Sequence, residues 1–139
     1  MPPQDLPPQL EAIEEATGAL GFAMASDRAT GMLLRTLAAA KPGGNLLELG
    51  TGTGLATAWL LQGMDAAARL LSLDNDAMVQ SIAAEYCGED PRLTRVTEDG
   101  DTPGRVYHFR RSWIRNSLKA SPSQLRIMHV EGDSMAPTL

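Results

Sequence analysis

One cysteine, two histidines and no long apolar run set the first limits on this 139-residue chain. Cys87 cannot close an intrachain disulfide. It stands in a helical-looking stretch with neither His108 nor His129 at ligand spacing, so it reads as a packing thiol and not as a redox or metal site. No segment approaches the roughly eighteen apolar residues that a membrane span needs. The amino end, MPPQDLPPQLEAIEEATG, is acidic and proline-rich where a secretory leader would be basic and then apolar. The expectation is a cytoplasmic protein with no membrane partner. Internal repeats and low-complexity tracts are also missing, and positive charge is scarce: the formal net charge of -5 argues against a general nucleic-acid binder.

What is present is ordinary for a globular protein, with 43% hydrophobic and 21% charged residues in a length that holds one modest core. The average hides an asymmetry. Residues 1–101 carry fifteen acidic and six basic side chains, whereas residues 102–139 carry two and six. The break coincides with the turn-rich DGDTPG at residues 99–104 and suggests that two different pieces meet there.

Helices are expected over residues 9–20 and 28–40. In the second, Met32, Leu33, Leu37 and Ala40 recur at helical spacing, Ser26 or Asp27 can cap its start, and Pro42-Gly43-Gly44 stops it. Leu46, Leu47 and Leu49 make a short apolar run bounded by turn residues, which suits a buried strand. Helical spacing returns at 55–63, a second strand runs from Arg69 to Leu73 and ends at Asp74, Ala77–Tyr86 is a helix, and Leu93–Thr97 a third strand. Strand and helix alternate with crossovers long enough for parallel pairing, which is α/β and doubly wound in style. Further strands are expected at Val106–Phe109 and Leu125–Val130.

The glycine-rich turn Gly50-Thr-Gly52-Thr-Gly54 lies between the first strand and its helix. Glycines there let the backbone turn sharply and approach a ligand, while the amides at the helix start face the bound group. Glu48 precedes the turn, and Asp74 ends the next strand about twenty residues on, where a carboxylate can accept both hydroxyls of a ribose lying across the strand ends. A nicotinamide dinucleotide fold shares that spacing. Against it, the turn is not G-x-G-x-x-G, and an acid before the first glycine suits a ligand with a cationic amino-acid end.

From Ala25 to Gly100 the sequence, including SDRATGMLLRTLAAAKPGGNLLELGTGTG, LLSLDND and TEDG, is similar to class I S-adenosylmethionine-dependent methyltransferases of the O-methyltransferase type. The resemblance implies that Glu48, Gly50, Gly52 and Gly54 line the methionine and ribose end of the cofactor, that Asp74 holds the ribose, and that Glu98, Asp99 and Gly100 border the adenine. The family's fourth strand, with its acidic residues on the substrate or metal side, is not recognisable beyond this point.

Residues 106–139, closing with GDSMAPTL, resemble a second family, the self-cleaving serine peptidases related to LexA and phage repressors. That resemblance makes Ser134 the nucleophile. Its lysine base has no counterpart, since neither Lys41 nor Lys119 stands in a matching motif, so Ser134 is expected to be vestigial. Five bases between Arg105 and Lys119 interleave with Tyr107, Phe109 and Trp113, a mix that nucleic-acid surfaces also use, but the aromatics are equally the core face of the second family.

The whole therefore reads as a composite. Residues 1–100 are a partial Rossmann-like half-sheet with helices, 101–105 a junction, and 106–139 a short β-rich peptidase-like segment. S-adenosylmethionine is the expected small-molecule partner, with binding weak or lost and no complete turnover. The first strand would keep an unpaired edge. Val106–Phe109 and Leu125–Val130 are the available covers; failing them, the edge should recruit a second copy into a homo-oligomer.

Overall fold

The computed structural model describes residues 6–97 and the backbone of the strand at 125–129. The elements run α1 (Leu10–Leu20), α2 (Arg28–Ala39), β1 (Asn45–Leu49), α3 (Leu55–Gly63), β2 (Arg69–Asp74), α4 (Ala77–Cys87), β3 (Leu93–Thr97) and β4 (Leu125–His129). Local chemistry sets their ends. Asp27 caps α2 by accepting the Thr30 amide at 2.7 Å, and Asp76 caps α4 by accepting those of Met78 and Val79 at 3.0 and 3.2 Å. At the end of α1, Gly21 at φ +72° donates to Gly18 O while Phe22 donates to Thr17 O, a Schellman turn that sends the chain back over the sheet's end.

The strands form one sheet in the order β3-β2-β1-β4, and all three pairings are parallel. Leu47 stands opposite Leu71 on one side and Ile127 on the other. The sequence placed an open edge at β1, after three strands; the chain itself closes that edge with β4, one of the two stretches offered as a cover. Pairing on both sides gives the central strand's amides and carbonyls the partners that an apolar strand cannot leave unmade. Val106–Phe109 and the junction at 101–105 lie outside the described residues.

Alternation along the strands separates two clusters. Leu46 and Leu70 pack with side chains from all four helices, including Leu10 and Ile13 of α1, Leu34 and Ala38 of α2, Trp59 and Leu60 of α3, and Cys87 of α4. Leu47, Leu71 and Leu73 form a separate cluster on the opposite face. Helix α2 lies tight on α3: a methyl group on Gly31 would come within 2.2 Å of the Trp59 ring, and one on Gly63 within 2.2 Å of Arg35 O.

This packing corrects the face expected for α2. Met32, Leu33 and Leu37 are exposed, by 42%, 58% and 46%, and the inward residues are Gly31, Leu34 and Ala38. Both sets have helical spacing. Trp59 decides between them, because its ring lies where a Cβ on residue 31 would stand, and glycine leaves that room.

Candidate functional site

The strand order reverses between β1 and β4, since β2 and β3 follow β1 to one side while β4 returns to the other. In open parallel sheets the crevice at the carboxyl ends of the strands beside such a reversal is where ligands bind. The loop at 50–54 leaves β1 at that place. Gly50, Gly52 and Gly54 all have positive φ, at 89°, 55° and 98°, where side chains other than glycine are disfavoured. A methyl group on Gly54 would also stand 2.8 Å from the Cβ of Ala83, so this glycine lets the loop seat against α4. At Gly52 the neighbour is the Phe22 ring, 3.3 Å from where a Cβ would lie.

The loop is clasped to the end of β2. Gly50 and Thr51 both donate their amides to Leu73 O, at 2.7 and 3.0 Å, and Gly52 donates to Asp74 Oδ2 at 2.7 Å. Asp74 Oδ1 accepts the Asp76 amide at 2.9 Å. Each carboxylate oxygen thus makes one backbone bond and keeps a lone pair, which is the capacity that two ribose hydroxyls require.

Glu48 lies beneath this loop, wholly buried. Its Oε1 accepts from Ser72 Oγ at 2.5 Å and Thr57 Oγ1 at 2.6 Å, while Oε2 has no hydrogen-bond partner among the described residues. Burial pushes its carboxyl up to about 7; the Ser72 and Thr57 hydroxyls oppose that shift, and the charge of Asp74 adds to it. A buried acceptor aimed at nothing is costly, and a donor brought by a ligand or a water would relieve it.

The structure therefore brings Glu48, Gly50, Gly52, Gly54 and Asp74 to one end of the sheet. Glu98, Asp99 and Ser134 lie outside the described residues. Two groups that spacing did not single out join the site: Ser72, on β2 opposite Glu48, and Gln80 of α4, which is 1% exposed. Gln80 donates to Thr51 Oγ1 at 3.0 Å and to Val96 O at 3.2 Å, and accepts from Thr97 Oγ1. Thr51 Oγ1 lies 2.6 Å from Ser72 Oγ.

Cys87 is at the other end of the sheet, beside a surface pocket lined by Pro8, Gln9 and Asp90 among others. Burial pushes its thiol up to about 11, a protonated packing group. Among the described residues no group of three or more histidine, cysteine or acidic side chains is placed to hold a metal ion, and no helix is long and apolar enough to cross a membrane.

No family model matches the chain, and no curated protein does. Solved structures do. The O-methyltransferase from Bacillus cereus in complex with SAH is 20% identical, with 93% of this chain and 67% of that one covered at a TM-score of 0.66. TomG from Streptomyces achromogenes, an O-methyltransferase of tomaymycin synthesis solved with SAM, is 21% identical over 70% of this chain and 48% of that one, at 0.61. The cofactor-bound Rv0187 from MTB is 28% identical, covering 68% and 46%, at 0.59. Over most of its length the chain is structurally similar to class I S-adenosylmethionine-dependent O-methyltransferases, an α/β Rossmann-like arrangement. It spans between 46% and 67% of the length of these three. None of these likenesses supports the repressor-peptidase resemblance, and β4, drawn from that segment, is a parallel strand of the methyltransferase-like sheet.

Proposed function

We propose that the chain binds an adenosyl ligand, S-adenosylmethionine or its demethylated product, in the crevice at the carboxyl ends of β1 and β2. The observation that carries this reading is the clasp between Gly52 and Asp74, which sets a ribose-accepting carboxylate against a loop of three positive-φ glycines. Asp74 would hold the ribose hydroxyls and the loop backbone the ribose and methionine end. Glu48 beneath would offer the oxygen that has no partner among the described residues toward the cationic end of the ligand, directly or through a water. Glu98 and Asp99 would border the adenine. Two of the similar structures were solved with SAH and SAM, which supports the same ligand class here.

The proposal concerns cofactor binding and does not extend to turnover. The division into two pieces and a vestigial role for Ser134 remain inferences from sequence; no observation on the fold favours a peptidase.

Calorimetric titration of S-adenosylhomocysteine into the full chain is the test. Binding is expected, and Asp74→Ala should weaken it at least about tenfold, as losing two charge-assisted hydrogen bonds implies. Absence of binding by the unaltered chain, or binding indifferent to that substitution, would overturn the assignment.

A further inference from the structure

Gln80 sits in the first half of α4, on a helix that otherwise contributes Val79, Ala83 and Cys87 to the interior. A carboxamide buried to 1% exposure needs partners for two N–H groups and one oxygen, and Gln80 finds all three, one in the glycine loop and two on β3. One N–H goes to Thr51 in the glycine loop, the other to Val96 O on β3, and the oxygen accepts from the Thr97 hydroxyl at the end of β3. The glycine loop and the end of β3 have β2 between them in the sheet, and Gln80 spans that gap.

The bonds also have a direction. With Glu48 ionised, the single proton of Ser72 goes to Glu48 Oε1, so Ser72 accepts from Thr51, and Thr51 accepts from Gln80. Each donor is oriented by the one before it, from α4 through the loop to the carboxylate beneath it. Such a series is worth more complete than in parts, because each lost link leaves a buried group unmet.

We propose that Gln80 is a positioning residue of the adenosyl site, fixing the glycine loop relative to the end of β3 so that the two stretches bordering the ligand are held as one unit. It acts through Thr51 and Thr97 and needs no contact with ligand. The inference rests on the adenosyl-site reading for its functional part, while the mechanical part stands on the hydrogen bonds alone.

The test uses the full chain and the variant Gln80→Met, which keeps side-chain length and helix propensity and removes every hydrogen bond. Hydrogen exchange in the ligand-free protein should quicken about tenfold or more at residues 50–54 and 93–97, with the α2–α3 interior around Leu34 and Leu60 unchanged. Affinity for S-adenosylhomocysteine should fall about tenfold. Thr97→Val removes only one arm, on a residue at the surface, and should move the same two segments by less; it keeps the idea testable if Gln80→Met fails to fold. Exchange that is unchanged at 50–54, or that rises equally in the α2–α3 interior, overturns the clasp, and a lower melting temperature with affinity intact overturns its part in the adenosyl site. If the unaltered chain binds no adenosyl ligand, the adenosyl reading fails, and the exchange result still decides whether Gln80 couples the two segments.

Discussion

Around Trp59 the helical side of the sheet buries hydrocarbon and ring: Leu10, Ile13, Leu34, Leu46, Leu60 and Leu70 close on one another. Around the glycine loop the same interior buries oxygen and nitrogen instead. Every buried polar side chain among the described residues, Thr17, Glu48, Thr51, Thr53, Thr57, Ser72 and Gln80, belongs to one of two hydrogen-bonded groups there. Thr17 bonds Thr53 at 2.8 Å, and the other five form the series that ends on Glu48. Hydrophobic burial is a sufficient account of the first region, since it is non-directional and roughly proportional to area. It is no account of the second. Buried polar groups gain little net stability, and a fold that needed only to be stable would do as well with apolar residues of the same shape. The difference teaches where to look for function: the polar end holds a loop conformation that packing alone would not specify.

If the division is real, damage to the apolar region should cost stability and leave binding alone. Trp59→Ala removes a ring that is 1% exposed and sits on Gly31, and leaves a cavity in its place. The expected loss is about 3–5 kcal/mol in denaturant unfolding, the largest effect of any substitution considered. Measured at low temperature, where folded protein persists, S-adenosylhomocysteine affinity should stay within about twofold of the original. A large loss of affinity in the folded fraction would break the comparison by showing that the two regions are mechanically one.

The polar end should instead reveal itself through pH. Glu48 has its carboxyl raised from 4.5 to about 7 by burial. Between those values the folded chain keeps a proton that the unfolded chain has released. Stability from this group is therefore fully present below about pH 4.5, declines as pH rises, and is gone above about pH 7. The change is on the order of 3 kcal/mol for a group so completely enclosed. Glu48→Gln cannot titrate and keeps an oxygen for Ser72 and Thr57, so the decline between about pH 4.5 and pH 7 should shrink by most of that amount. Equal pH dependence in the two proteins would mean that Glu48 is better solvated than its enclosure implies.

The two regions were not equally legible in the sequence. Strand, glycine turn, helix and the acid closing the next strand are local patterns, and β2, α3 and β3 lie within a residue of where period and turn residues put them. The network is not local. Thr51 meets Ser72 and Gln80 across 21 and 29 residues, and a lone glutamine in a helix of mixed composition reads as solvent-facing until the helix is docked. Glu48 was singled out as a candidate site residue from its place before Gly50, but its depth beneath the loop was not legible. Nor was the pairing of β4 with β1, because strand propensity at Leu125–His129 carries no information about which neighbour is chosen.

The smallest predicted effect tests α2, whose inward face was expected at Met32, Leu33 and Leu37 and lies instead at Gly31, Leu34 and Ala38. In α2 the pair Leu33 and Leu34 are consecutive, equally apolar and equally good helix formers, so no local argument prefers one as the buried member. The structure separates them, at 58% and 7% exposure, because the Gly31 side of the helix is the side that fits Trp59. Leu33→Gln exchanges an exposed side chain for another of similar helix propensity and should change unfolding free energy by no more than about 0.5 kcal/mol. Leu34→Ala, one residue on, should cost about 2–5 kcal/mol through lost burial and the cavity it leaves. Denaturant melts of the two variants decide the matter without reference to any ligand. A Leu33 variant as damaging as the Leu34 variant would mean that Met32, Leu33 and Leu37 are covered in solution, and the inward face of α2 would then have to be assigned from that cover and not from Trp59.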